Sequence, residues 1–228
     1  MKVMILAAGL GKRLRPLTLH KPKPLIEVAG KPLIIHHLEQ LAAAGFKDVV
    51  INHSWHGDQI VKALGNGSHW GLNIVYSEEP EPLETAGGII QALPLLNEGN
   101  CEDNQPFLVV NGDVFTDYPF NQVPDHIDGQ AHLIMVDNPA FKEKGDFALQ
   151  QGQVQEQGES LLTYSGISVL TPDLFANTDA GVQSLAPVLR QAMVSRNVTG
   201  EHFRGLWTDV GTIERLNELE QYLAVLAQ

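Results

Sequence analysis

Short, densely apolar runs alternate with helical periodicity along the first half of the chain. Residues 2–7, 48–52, 72–76 and 107–110 are rich in Val, Ile and Leu and end at Gly, Asn or other turn residues, the pattern of strands buried on both faces. Between them, 32–44, 57–64 and 85–93 read as helices. Pro32 opens the first and Gly45 stops it, Gly65 ends the second, and Thr85 is placed to cap the third. The order βαβαβαβ predicts a mostly parallel sheet covered by helices. Beyond residue 120 the pattern changes. Residues 131–136, 147–150, 153–157 and 162–170 read as strands with tight turns, one of them at Gln151-Gly152. Helices follow at about 184–195 and 212–226. The last carries Leu216, Leu219, Leu223 and Leu226 on one face, with Thr212 as its N-cap. No repeat or linker composition interrupts the chain. Residues 1–228 are therefore expected to form a single domain with two lobes, about 1–120 and 121–205, and a C-terminal helix at 212–226.

Composition narrows the class. The 228 residues are 43% hydrophobic and 18% charged, ordinary for a globular protein. One cysteine, Cys101, excludes a disulfide framework and a cysteine zinc cluster. No apolar stretch approaches the roughly 20 residues of a membrane span, and residues 1–8 are too short for a secretory core, so a cytoplasmic location is expected. A net charge of −12 argues against a nucleic-acid or membrane-surface partner. Against that background, residues 12–31 hold Lys12, Arg13, Arg15, Lys21, Lys23 and Lys31, with Glu27 alone opposing them. A solvated basic loop is the plain reading; a site for an anion is the functional one.

The segment Leu6-Ala7-Ala8-Gly9-Leu10-Gly11-Lys12-Arg13-Leu14 follows the first predicted strand directly. Gly9 and Gly11 let backbone N–H groups approach phosphate oxygens, and the following cations add full charge. Leu14 breaks a dinucleotide fingerprint and Arg13 stands where a Walker loop needs Ser or Thr. A tight strand-to-loop turn is the alternative. In Lys21-Pro22-Lys23-Pro24, two prolines are expected to hold Lys23 on a stiff extended segment, although such a run is also an ordinary surface loop.

Read as L-A-A-G-x-G-x-R-L-x-P-L-T from Leu6 to Thr18 and followed by Pro22-Lys23-Pro24, this region resembles the signature of the sugar-1-phosphate nucleotidylyltransferases. These enzymes join a nucleoside triphosphate and a sugar 1-phosphate into a nucleotide sugar and release pyrophosphate. The resemblance continues through Pro82-Leu83-Glu84-Thr85-Ala86-Gly87-Gly88, Asn111-Gly112-Asp113, Tyr164-Ser165-Gly166-Ile167 and Trp207-Thr208-Asp209-Val210-Gly211-Thr212. It implies an α/β, Rossmann-like nucleotidyltransferase fold: a mostly parallel central mixed sheet flanked by helices, with a nucleotide-binding first lobe and a smaller sugar-binding second lobe.

By the same resemblance, Leu6, Ala7, Ala8, Gly9, Gly11, Lys12, Arg13, Lys23, Glu79, Gly87, Gly88 and Asp113 are expected to bind the nucleotide. Arg13, on the departing β- and γ-phosphates, and Lys23, on the α-phosphate, are the expected catalytic residues. Asp113 and Asp209 are expected to hold one or two Mg²⁺ ions; for either acid alone an Asx turn or a helix-capping role would serve. Gly87 and Gly88 are expected to leave room for the base. Glu79 either reaches the base edge or is a solvated loop acid. Asn111, Gly145, Glu156 and Gly166 are the sugar-side candidates.

Two departures stand out. Many relatives carry a Glu-Lys-Pro near residue 156 whose lysine binds the sugar phosphate. Here Val154-Gln155-Glu156-Gln157-Gly158 has no lysine, leaving a second Mg²⁺, Arg204 or Lys144 as its expected substitute. Glu84 replaces a usual glycine. With the chain ending at residue 228, before any β-helical acetyltransferase unit, this variant resembles the branch that uridylylates N-acetylmuramate 1-phosphate in bacterial cell-wall recycling. Guanylyl transfer to mannose 1-phosphate is the alternative within the family. A catalytically silent nucleotide-sugar sensor is the alternative outside it, although Arg13, Lys23 and both aspartates are retained. A glycosyltransferase would want Asp-x-Asp, which Asp113-Val114-Phe115 does not supply. The expected partners are small-molecule substrates, with a monomer one of the open oligomeric states. His36, His37, His53, His56, Trp55 and Trp70 read as packing or surface residues.

Overall fold

The structure, a computed structural model, describes residues 1–99 and 104–226; Cys101 lies outside them. In chain order the strands are β1 (Val3–Leu6), β2 (Glu27–Val28), β3 (Lys31–Pro32), β4 (Asp48–His53), β5 (Asn73–Glu78), β6 (Phe107–Asn111), β7 (Val114–Thr116), β8 (Ala131–Val136), β9 (Phe147–Gln150), β10 (Gln153–Gln155), β11 (Leu161–Leu170), β12 (Val198–His202) and β13 (Trp207–Asp209). The helices are α1 (Leu33–Ala43), α2 (Gly57–Leu64), α3 (Glu84–Asn97), α4 (Leu185–Val194) and α5 (Ile213–Leu226).

A nine-stranded sheet in the order β5-β4-β1-β6-β11-β8-β12-β10-β9 runs through both halves of the chain. Its first four strands are parallel. β11 then lies antiparallel to both β6 and β8, and β12 runs parallel to β8, so the sheet is mixed. β1 explains the layering. Val3 and Ile5 face Ile34, Leu38 and Ile60 of α1 and α2, while Met4 faces the layer that holds Ile89 and Ala92 of α3. A strand buried on both faces needs apolar residues at consecutive positions, which is why no alternation marks it. No helix among the described residues is long and apolar enough to cross a membrane.

Two sequence expectations need correction. Thr85 does not cap α3; the helix begins at Glu84 and has no side-chain cap bond. Instead the N–H groups of Ala86 and Gly87 donate to the Gln183 carbonyl at 2.9 and 3.1 Å, so a distant loop supplies what a capping side chain would. The helix also continues through Pro94 to Asn97, its final carbonyls taken up by Lys2 Nζ, 2.7 Å from the Leu95 oxygen. Thr212 does act as expected: its Oγ1 accepts from the Arg215 N–H at 3.4 Å at the start of α5.

His37, on the inner face of α1, is buried, and burial lowers its pKa to about 4 from 6.5. The unfolded chain therefore takes up a proton below pH 6.5 that the folded chain refuses until about pH 4. Stability is expected to fall as pH drops through this window, by up to about 3 kcal/mol from this group. Urea unfolding at pH 7 and pH 4.5 checks this: His37→Leu should flatten the pH dependence there, and an unchanged slope would assign the acid sensitivity to other groups.

Candidate active site

The parallel strands β1 and β6 end side by side, and the loops that follow them form the floor of a cleft beyond their carboxyl ends, the usual ligand position in such sheets. The Gly112 N–H donates to the Leu6 carbonyl at 2.9 Å and ties the two loops together. A Cβ at position 112 would lie 2.7 Å from that oxygen, so the junction requires glycine. The first loop turns at Gly11, whose φ is +58° and whose carbonyl accepts from Thr18 Oγ1 at 2.8 Å and from the Leu14 N–H at 2.9 Å. This turn carries Lys12 and Arg13, both exposed, over the cleft.

Lys23 arrives differently from the extended segment expected of it. It begins a single 3₁₀ turn, Lys23–Leu25, closed by bonds from the Leu25 and Ile26 N–H groups to the Pro22 and Lys23 carbonyls, each at 3.0 Å. Pro24 lacks the N–H that the start of such a turn leaves unpaired anyway, so the prolines stiffen a turn rather than a strand. The turn points Lys23 inward, and its Nζ lies 2.6 Å from Asp113 Oδ2.

Asp113 and Asp209 lie far apart in sequence but meet through the β7–β13 ribbon, which pairs Val114 with Asp209 and donates the Val210 N–H to the Asp113 carbonyl at 2.8 Å. Both acids line one cavity. Each already has a cation partner: Lys23 for Asp113, and Arg215 Nη1 for Asp209 Oδ1. Two carboxylates are too few for a closed metal cage, and no cluster of three or more metal-binding side chains occurs among the described residues. The set does fit Mg²⁺, a hard cation that keeps waters and completes its shell with substrate phosphate oxygens.

Glu79 is 2% exposed despite its acidic neighbours, which disposes of the solvated-loop alternative. Its Oε1 accepts from Asn52 Nδ2 at 2.6 Å and its Oε2 from the Leu83 N–H at 3.0 Å, while Asn52 Oδ1 accepts from the Ala7 N–H at 2.8 Å. Asn52, at the end of β4, was not singled out in the sequence; a polar side chain at the carboxyl end of an apolar strand was the available signal. Gly87 and Gly88 sit behind this group, outside the cleft lining. A Cβ at Gly88 would meet Glu79 Oε1 at 2.5 Å, and one at Gly87 would meet the Gly181 carbonyl at 2.0 Å. These glycines make room for protein atoms. Glu84 lines the cleft mouth with φ +59°, a left-handed conformation in which glycine is unstrained and glutamate is not.

Two adjoining cavities result. The first, about 320 Å³, is lined by residues 6–9 and 11–13, with Lys23, Glu79 and Asp113 among the others. The second, about 410 Å³, holds Lys142, Tyr164, Trp207, Asp209 and Arg215. They share Arg13, Asn111 and Asp113. Gly166, φ +80°, sits at an irregularity of β11 against the Asn111 side chain, and Trp207 Nε1 donates to the neighbouring Ser165 carbonyl at 2.8 Å. Gly145 lies under the Leu161 backbone, where a Cβ would come within 2.5 Å, and so lets the loop bearing Lys142 approach β11. Tyr164 is half-buried in this second wall, and its burial raises its pKa to about 12, so it stays neutral.

Glu156 is not brought to this site. It pairs with Arg190 at 3.0 Å in a separate groove that includes Gln150, Gln153 and Arg196, beside β9 and β10. β10 pairs with β12 and β9 rather than with β1 or β6, and it ends at Gln155, two residues earlier than expected. Arg204 and Lys144 are exposed and line neither cavity.

The Nucleotidyl transferase family profile matches residues 2–147, the part of the chain that contains the first cavity's loops. The chain belongs to the nucleotidyl transferase family. It is 51% identical to N-acetylmuramate alpha-1-phosphate uridylyltransferase of Neisseria meningitidis serogroup B, over 96% of this chain and 97% of that protein. A mannose-1-phosphate guanyltransferase of Yarrowia lipolytica is 34% identical over 92% of this chain and 61% of its own length. Among solved structures, HddC from Yersinia pseudotuberculosis complexed with GMP-PN superposes with a TM-score of 0.77 at 20% identity, covering 97% of this chain and 99% of that one. Family membership places the paired cavities in a setting of nucleotidyl transfer, with the glycine-turn loop inside the matched segment and Asp209 beyond it.

Proposed function

We propose that this chain transfers the uridylyl group of UTP to N-acetylmuramate 1-phosphate, forming UDP-N-acetylmuramate and pyrophosphate. The observation that carries the reaction class is the pair of cavities meeting at Arg13, Asn111 and Asp113, which gives two substrates a common wall. The likeness to the Neisseria protein along nearly the whole of both chains supports the particular substrates.

The nucleotide sits in the first cavity over the glycine turn. Arg13, at the junction, neutralises the departing β- and γ-phosphates, and Lys23 neutralises the α-phosphate as charge shifts onto it. Asp113 and Asp209 would hold Mg²⁺, which supplies Lewis-acid neutralisation of the phosphoryl oxygens when bound. The sugar phosphate is an anion at neutral pH, so its oxygen attacks without a protein base. A bond forms between that oxygen and the α-phosphorus, the bond from the α-phosphorus to the bridging oxygen breaks, and pyrophosphate leaves with the electron pair. Holding the two reactants in line is the protein's larger contribution. The Asn52–Glu79 pair fixes the first strand's loop beneath the nucleoside. Residues 1–228 act as one domain, and since both cavities are built from one chain, a monomer suffices. The cytoplasm, where nucleoside triphosphates and sugar phosphates occur together, is the compartment this reaction needs.

The test is pyrophosphate release from each nucleoside triphosphate with a panel of sugar 1-phosphates in the presence of Mg²⁺. UTP with N-acetylmuramate 1-phosphate should give the highest kcat/KM. Reaction confined to GTP and mannose 1-phosphate would replace this reading with the guanylyl one, and no reaction with any pair would leave a nucleotide-sugar sensor.

A further inference from the structure

We propose that Arg215, at the start of α5, is the side chain that binds the phosphate of the sugar 1-phosphate. The proposal rests on the reading above in taking the second cavity as the acceptor's, Arg13 as the nucleotide's and Asp209 as a metal ligand.

An acceptor phosphate in that cavity needs a cation that faces it and that can be released from its acid partner to engage it. Among the described residues, the cavity's basic side chains are Arg13, Lys142 and Arg215. Arg13 is shared with the first cavity and serves the nucleotide. Lys142 Nζ is held 2.5 Å from Asp146 Oδ2, and the same oxygen accepts the Tyr164 N–H at 2.9 Å, so Lys142 is already neutralised by an anchored acid. Arg215 differs in three ways. Its side chain is only 11% exposed and its guanidinium carbon lies 4.0 Å from the centre of the Phe141 ring, so its plane is fixed before anything binds. It gives only Nη1 to Asp209, leaving further donors of the fork. Nη2 lies 2.8 Å from the place a Gly211 Cβ would fill, and Gly211 lines the first cavity. The guanidinium thus occupies the gap between the two chambers, beside the carboxylate expected to bind metal. When Asp209 turns to a metal ion, Arg215 loses its counter-charge at the place where an acceptor phosphate must approach the α-phosphate. A planar fork with two parallel donors matches a phosphate as an ammonium does not.

The experiment uses whichever sugar 1-phosphate and nucleoside triphosphate the intact protein turns over best, so a wrong sugar or base leaves it valid. Arg215→Ala should raise KM for the sugar 1-phosphate at least about tenfold while leaving KM for the triphosphate within about threefold. Arg215→Lys should recover only part of the loss. Phe141→Leu, at a residue 52% exposed and therefore safe for folding, should raise the sugar-phosphate KM several-fold, by about threefold or more, through loss of the stack. Calorimetric binding supplies a readout apart from turnover. The intact protein should prefer the sugar 1-phosphate to the unphosphorylated sugar, and Arg215→Ala should lose that preference while binding the triphosphate normally. An unchanged preference, or equal damage to both substrates, would overturn the assignment and leave Arg215 as a prop for Asp209.

Discussion

Asp113→Asn is expected to lower turnover by at least about 10²-fold, and Asp209→Asn by a similar factor. Asparagine keeps the shape of the side chain and one acceptor oxygen but removes the charge that would hold a divalent cation against phosphate oxygens. The fold should survive, because the link between the two positions is made by backbone: the Val114–Asp209 pairing and the bond from the Val210 N–H to the Asp113 carbonyl. Each substitution also strands a cation, Lys23 in one case and Arg215 in the other. Pyrophosphate release at saturating substrates measures the effect, and Mg²⁺ titration by thermal shift in the presence of triphosphate separates metal binding from chemistry. Near-normal turnover in either variant would remove that residue from the metal site.

Lys23→Ala should cost about 10²-fold in kcat/KM, and Lys23→Arg should restore little of it. The lysine leaves a proline-flanked turn and reaches Asp113 with its side chain only 11% exposed. Its Cβ lies 3.3 Å from the position that a Gly11 Cβ would take, so the stem packs against the glycine turn, and a planar guanidinium does not reproduce the compact point charge of an ammonium there. Because Lys23 and Asp113 are in contact, their losses should not add. Lys23→Ala combined with Asp113→Asn should be scarcely worse than Asp113→Asn alone. Full additivity in steady-state kinetics would show that the two act separately.

Much of this arrangement was legible in the sequence, for physical reasons that also mark where it stopped. Strands such as β6 and β8 are short apolar runs buried on both faces, and such runs announce themselves. The glycine turn and Asp113 follow directly from β1 and β6, so local order fixed their place. The ribbons β2–β3 and β7–β13 have two or three residues per strand and no hydrophobic period to betray them, yet β7–β13 is what unites the aspartates. Glu79 read equally as a base contact or a solvated acid because its neighbours are acidic; its burial depends on Asn52 and on the absent side chain of Gly88, contacts that come from other elements. Glu156 was placed by analogy of position, but β10 ends at Gln155 and Glu156 pairs with Arg190 instead. Arg215 gave no signal beyond its distance from Thr212, since its importance lies in Phe141, Asp209 and Gly211 meeting around it.

Among the described residues, the two chambers share three, Arg13, Asn111 and Asp113, and their remaining walls come largely from different stretches of chain. Loops after the parallel strands build most of the chamber proposed for the donor, while the antiparallel half and the start of α5 contribute most of the one proposed for the acceptor. Evolution can therefore re-tailor the acceptor's half for another carbohydrate without disturbing the machinery that activates the donor. A laboratory library confined to positions such as Lys142, Thr163 and Tyr164 would explore new acceptors from a scaffold whose donor half is left whole.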